Sequence, residues 1–173
     1  YVLYNAGDSI SLNPEISWNN ELGYRYQTKN MLLGATLFYL NYKDRQLSSR
    51  NINGDYEMIN VGKVDSRGLE LELSGQLPYH LNYYLSYSYT DAKQKDNIVN
   101  YGVTLPTEGK TVPNTSKNSL TATFGYDDGR IYSNLTGRYL SSFYGDMTND
   151  EKIAGRTVFD FAGGYHFPVD HKY

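Results

Sequence analysis

Glu70 and Glu72 stand two residues apart in the stretch GLELELSG, and on a strand that spacing sends both carboxylates to one face. Paired carboxylates are the equipment of glycoside hydrolysis, one serving as acid and the other as base or nucleophile. Hydrolysis also needs a cleft and a third polarising group, and neither is legible around this pair. Wall charges facing water or a basic residue of a neighbouring strand are the better reading. The three histidines, His80, His166 and His171, are scattered. His80 and His171 fall in short turns, and no metal-ligand or triad spacing surrounds them. No serine sits in a nucleophile elbow and no glycine-rich phosphate loop precedes a helix. With 0 Cys, disulfide, zinc-thiolate and thiol redox chemistry drop out. The expectation is a protein that is not an enzyme, with no metal and no cofactor of its own.

Cations and rings in three long polar stretches are what remains for recognition. Arg45 and Arg50 lie in the first, Tyr101 and Lys110 in the second, Tyr144 and Arg156 in the third. Such groups hold an anionic chelate through charge-assisted hydrogen bonds and ring stacking. Any one of them, taken alone, is as well explained by the solvation that polar loops require.

Those stretches hang between runs that alternate apolar and polar residues from end to end. In LNYYLSYSYTDA, residues 81–92, a strand places Leu81, Tyr83, Leu85, Tyr87 and Tyr89 on one face and Asn82, Tyr84, Ser86, Ser88 and Thr90 on the other. ISWNNELGYRYQ sets Ile16, Trp18, Leu22, Tyr24 and Tyr26 against Asn19, Glu21, Arg25 and Gln27. MLLGATLFYLNY, residues 31–42, is apolar on both faces, so periodicity cannot assign its sides. Further runs follow at 60–75, 118–126, 131–141 and 157–167, giving roughly seven strands of the length a tilted membrane strand requires.

Composition and connections say what the apolar faces meet. The chain holds 19 Tyr against 6 Phe and 1 Trp, a balance that suits a boundary between hydrocarbon and water better than a dry core. A mean hydropathy of -0.61 and the lack of any apolar run near 18 residues exclude a membrane helix and leave a barrel open. The net charge of -3, with acids and bases interspersed, argues against a nucleic-acid partner. Connections alternate: 28–30, 76–80, 127–130 and 168–172 are short, whereas 43–59, 92–117 and 142–156 are long and polar. That alternation puts tight turns at one rim and long loops at the other, as in an outer-membrane barrel. A soluble barrel or sandwich with an inward apolar face, in the form of a tyrosine-lined sugar-binding module, is the alternative, and a passive porin is another.

A set of short motifs narrows the choice. LNPEISWNNELG carries Leu12, Pro14, Glu15, Ser17, Glu21 and Gly23, and this segment resembles the Leu-x-Pro-Glu-x-Ser and Glu-x-Gly entry into a barrel strand of TonB-dependent receptors. LFYLNYKD at 37–44, NVGKVDSRGLELEL at 60–73 with Asn60, Gly68 and Glu70, and VPNTSKNSLTATFGY at 112–126 are similar to later parts of that family, in the same order. The ferric-citrate and siderophore branch is the nearest in flavour. Pro14 and Glu15 read as a structural turn, with gating as the alternative, and Gly68 as relief of crowding or a bulge.

The resemblance implies an all-β fold, an antiparallel transmembrane barrel segment with short periplasmic turns and long extracellular loops, in the Gram-negative outer membrane. Residues 1–173 would be part of the barrel domain, with the plug domain and closing strands absent, since Tyr1 replaces an initiator Met and PVDHKY does not alternate as a final strand. The implied function is uptake of a ferric siderophore or similar nutrient, iron entering only inside the transported chelate. Implied partners are outer-membrane lipid and lipopolysaccharide, and the TonB energy-transducing complex acting through N-terminal parts outside this chain.

Overall fold

The computed structural model describes residues 12–50, 55–100 and 102–167. In chain order the strands are β1 (Ile16–Gln27), β2 (Met31–Lys43), β3 (Gln46–Arg50), β4 (Tyr56–Asn60), β5 (Val64–Leu77), β6 (Leu81–Gln94) and β7 (Ile98–Asn100). There follow β8 (Val103–Leu105), β9 (Asn118–Asp127), β10 (Ile131–Leu140), β11 (Phe143–Tyr144), β12 (Lys152–Ile153) and β13 (Arg156–Tyr165). Seven of them pair into one antiparallel meander, β1-β2-β5-β6-β9-β10-β13. Among the described residues this sheet does not close, and β1 and β13 are its edges. Its strands run 10 to 14 residues. At about 3.3 Å per residue and a tilt near 45°, such strands rise roughly 23–33 Å, comparable to an apolar band of about 25 Å.

Register settles what periodicity left open in β2. Trp18, Leu22 and Tyr26 face Asn41, Leu37 and Leu33, so the odd positions of β2 share the apolar side. Leu33, Ala35 and Leu37 in turn face Leu73, Leu71 and Leu69, and these face Leu85, Tyr87 and Tyr89. The apolar face continues through Leu120, Ala122 and Phe124 to Leu135, Tyr139, Phe159 and Phe161. The other face carries Glu21, Thr36, Glu70, Ser88, Thr121 and Thr136. Nothing among the described residues packs on the apolar side. Trp18, Leu22 and Phe161 are 67%, 73% and 74% exposed. A water-soluble sheet would leave this greasy surface uncovered, which is why the soluble sugar-binding module fails and a lipid-facing wall stands.

The short connections lie at 28–30, 78–80 and 128–130, the expected one at 168–172 falling outside the described residues, and all three long ones leave from the opposite rim. Asp128 shapes the last tight turn: its Oδ1 accepts from the Arg130 and Ile131 amides at 2.8 and 2.7 Å. The long polar connections each hold a two-stranded ribbon, β3-β4, β7-β8 and β11-β12, which alternation did not single out. Asn60 accordingly closes a loop ribbon, and the wall strand begins only at Val64.

The buried core sits where these loops meet the outer ends of β5 and β6. Val61, Val64, Ala92, Ile98 and Val112 are buried there, with Ser66, Gln94, Thr107 and Thr111. Buried polar groups need partners, and most are satisfied locally. The Thr107 hydroxyl donates to the Asp96 carbonyl and accepts from the Ile98 amide, both at 3.0 Å. Asn149 clamps the third loop to the second: its side-chain carbonyl accepts from the Thr111 amide at 2.7 Å while its NH2 donates to the Thr111 carbonyl at 2.8 Å. Asp146 in turn shapes the loop that presents Asn149. Hydrogen bonds from the Thr148 hydroxyl, the Glu151 amide and two further amides lower its pKa from 3.8 to about 2.

Gly68 does not make a bulge, because pairing runs unbroken from Phe38 through Gly68 to Thr90. The reason for glycine is close approach. A Cβ there would lie 2.6 Å from the Phe38 ring and closer still to the Tyr89 carbonyl oxygen.

Two predictions follow from these contacts. Gly68→Ala lowers stability by about 1–3 kcal/mol through overpacking, whereas Gly34→Ala, whose Cβ would meet Glu72 at an ordinary 3.7 Å, changes little. Urea midpoints of the protein in detergent micelles compare the two. For Asp146, a folded pKa below the unfolded one means stabilisation present above pH 3.8 and lost as pH falls toward about 2. Amide protection around 145–151, taken relative to the intrinsic exchange rate at each pH, should therefore fall across that window in wild type, and Asp146→Asn should be poorly protected already at pH 6.

Candidate functional site

Residues scattered along the sequence converge on the polar face. Glu21 faces Phe38, which faces Gly68; one row inward, Gly23 faces Thr36, which faces Glu70. The motif residues of the first wall strand and of β5 therefore meet on two adjacent rows around a single aromatic ring. Glu21 accepts from the Asn19 amide group. Glu70 and Glu72 lie opposite Thr36 and Gly34 on one side and Ser88 and Ser86 on the other. No described cation bonds to either, so they stand as acidic wall residues on a shallow concavity of about 320 Å³ shared with Tyr84. A third polarising group for hydrolysis is not among its lining residues. Toward β13 the same face bears an ion pair, Arg138 with Asp160, which spacing alone did not single out.

Above these rows the polar face opens into a mouth cavity of about 450 Å³ under the packed loops. Leu40, Val64, Ala92 and Val112 give it an apolar floor; Glu15, Tyr42, Arg45, Gln46, Ser66, Thr90 and Thr115 bring polar groups. Asp44, with a φ of 52°, kinks the chain out of β2. Arg45 then pairs through its backbone with Gly62 and Val61 at 3.0 and 2.7 Å. This fixes where the guanidinium starts.

The Pro14–Glu15 corner forms one side of the mouth because it is tied to the first loop ribbon. Asn60 accepts from the Asn13 amide at 2.9 Å and donates to the carbonyls of Asn13 and Asp44 at 3.1 and 2.7 Å. Gln46 donates from its side chain to the Asn13 carbonyl at 2.8 Å and from its backbone to Glu15 Oε2 at 3.0 Å. Asn13 and Gln46 escaped the sequence reading. Their only signal was an amide beside Pro14, and the strap it makes spans 47 residues to Asn60.

The remaining ligand candidates do not gather at the mouth. Lys110 is half-buried in the cap, its amide on the Thr107 carbonyl and its carbonyl taking the Gln94 amide. Tyr144 lies in β11, its carbonyl taking the Asn114 amide at 2.8 Å. Arg156 opens β13 on the polar face, opposite Leu140. Arg50 ends β3 with its side chain outside the described residues, where Tyr101 and His171 also lie. His80 and His166 sit by the tight turns, His80 edge-on to Tyr126 and His166 tilted against Tyr132, 6.3 and 5.1 Å between centroids. Among the described residues no group of three acids or histidines is placed to hold a metal.

A wall with one lipid-facing side, tight inner turns and a capped outer mouth has close counterparts. Over 161 residues the chain is 30% identical to a TonB-dependent receptor of Haemophilus influenzae, covering 88% of this chain and 45% of that protein. It is also 30% identical over 146 residues to the ferrichrome outer membrane transporter/phage receptor of Escherichia coli, covering 81% and 18%. The ferric yersiniabactin uptake receptor FyuA of Yersinia pestis superposes with a TM-score of 0.72 at 23% identity, over 87% of this chain and 22% of that one. The unliganded ferric citrate transporter FecA gives 0.72 at 24%, over 89% and 24%. The chain thus spans less than half the length of these relatives, and the structural likenesses speak for the fold. The family model described as TonB dependent receptor-like, beta-barrel, matches residues 1–172. This chain, its leucines and tyrosines turned to lipid, belongs to the TonB-dependent receptor β-barrel family of the Gram-negative outer membrane.

Proposed function

We propose that the chain is barrel wall and outer mouth of a nutrient-uptake receptor whose cargo is a ferric siderophore or a similar iron chelate. The observation that carries this reading is the mouth cavity, where Arg45, Tyr42 and Glu15 join an apolar floor on the polar face. A guanidinium in a partly desolvated mouth holds oxyanions of a chelate more strongly than in bulk water, and the tyrosine ring adds area at low entropic cost. Iron is cargo here, never a resident cofactor, and the reading gives the chain no catalytic step. Relatives described as ferrichrome transporter and ferric yersiniabactin receptor support the substrate class. In this reading Lys110, Tyr144, Arg156, Arg50 and Tyr101 of the outer loops make the first, looser contacts, and the TonB complex supplies energy through parts of the receptor beyond this wall.

Replacing Arg45 with Ala in the full-length receptor should weaken ferric-chelate binding about ten-fold, the worth of one charge-assisted hydrogen bond. Lys29→Ala, in the tight turn at the opposite rim, should leave it unchanged. Equilibrium binding of a panel of ferric chelates to detergent-solubilised receptor reads both. An Arg45→Ala protein that binds every chelate as wild type does would remove the mouth from the recognition site, and uptake that survives collapse of the proton gradient would mark a passive pore.

A further inference from the structure

All three long loops meet around one small void. The first loop lines it with Leu47, Ile59 and Val61, the second with Ile98 and Leu105, and the third with Met147. The cavity holds about 150 Å³, and apart from Ser48 its lining is apolar. Met147 is the third loop's peg in this junction. Its backbone is fixed on both sides, because Asp146 accepts from the Thr148 and Asp150 amides at 3.1 Å while Asn149 clamps onto Thr111.

The sulfur of that peg meets a poorly satisfied amide. Gln94 is 0% exposed. Its main chain is pinned, the amide donating to the Lys110 carbonyl and the carbonyl accepting from the Gly109 amide, both at 2.9 Å. Its side chain fares worse: Nε2 donates to Met147 Sδ at 3.5 Å, and Oε1 is buried with no hydrogen-bond partner among the described residues. A thioether is a weak acceptor, and buried amide groups ordinarily find full partners. The donor of Gln94 thus points at the one atom in the junction that oxidation converts into a strong acceptor, since methionine sulfoxide carries a polar oxygen on its sulfur. Access and room are both present. Met147 is half-buried, so solvent reaches the residue. The void beside it exceeds the roughly 30 Å³ share of a water molecule, enough to admit a small peroxide and to let the sulfur retreat as it gains an oxygen.

We propose that Met147 is an oxidation site, at which a hydroperoxide converts the thioether to the sulfoxide and thereby locks the third loop onto the other two. The sulfur lone pair attacks one peroxide oxygen. An S–O bond forms as the O–O bond breaks, the departing hydroxide takes the proton of the transferred oxygen and leaves as water, and sulfur gives up two electrons to the peroxide. The new oxygen then accepts from Gln94 Nε2, so a weak N–H···S contact becomes a full hydrogen bond inside the cap. Oxidation of a buried methionine ordinarily loosens its surroundings; the waiting amide reverses that sign. The site is independent of the cargo and of the mouth cavity, whose lining includes neither Met147 nor Gln94.

The test treats the full-length receptor, in nonionic micelles, with graded hydrogen peroxide. Peptide mass spectrometry follows the gain of one oxygen on each of Met31, Met58 and Met147, and amide exchange at neutral pH reads protection around 145–151. Wild type oxidised at Met147 should be about three- to ten-fold better protected there, the worth of a net hydrogen bond. Met58→Leu should respond as wild type does, and Met147→Leu should not respond. In Gln94→Leu the added oxygen has no donor, so oxidation should lower protection instead. A Met147 still reduced when the more exposed Met58 is fully oxidised, or an oxidised wild type whose protection is unchanged or lower, overturns the site. Should Gln94→Leu lose its cap before any treatment, Met147→Leu decides: a muted response supports the proposal, and a response that persists there overturns it.

Discussion

The rest of this architecture depends on hydrogen bonding of the backbone in a solvent that offers none. Hydrocarbon cannot satisfy a peptide N–H or C=O, so every wall residue must find its partner on a neighbouring strand. Unbroken antiparallel pairing meets that demand for the five inner strands, while among the described residues β1 and β13 each keep one edge without a strand partner. Alternation then follows at once: with pairing fixed, one side chain in two must tolerate lipid and the next must tolerate a polar interior. Leu69, Leu71 and Leu73 against Glu70, Glu72 and Ser74 are that rule written in six residues.

Two contrasting regimes of packing result. The wall has little that resembles a buried core, and Gly68 shows how its tolerances are set instead by close approach of a ring across the ladder. The outer loops, which stand in water, behave as an ordinary small protein does, with Val61, Ile98 and Val112 buried and Thr107 and Asn149 closing the polar accounts. The strap from Asn13 to Asn60 joins the two regimes and gives the mouth cavity a fixed side.

Much of this was legible in the residues. The strands of the wall, the faces of β1, β5 and β6, and the sorting of tight turns and long loops to opposite rims all follow from local alternation and turn chemistry. What was not legible depends on register. β2 is apolar on both sides, and only its pairing with Trp18, Leu22 and Tyr26 reveals which leucines see lipid. The loop ribbons left no alternation to read because they are short, down to two residues in β11 and β12. Arg45 was reachable as a cation in a polar stretch. Its partners Asn13 and Gln46 were not, because nothing in an isolated Asn or Gln announces a bond 33 or 47 residues away.

The placement of the buried core outside the membrane carries a thermal consequence. Burial of Val61, Val64, Ile98 and Val112 draws on the expulsion of water, an entropic term that weakens on cooling and comes with a large heat-capacity change. The wall draws on backbone hydrogen bonds and on contact with lipid, where no such term operates between apolar groups. Chilling therefore slackens the outer cap while leaving the wall as firm as before, so the mouth of the receptor and its membrane body have separate stability curves within one continuous chain.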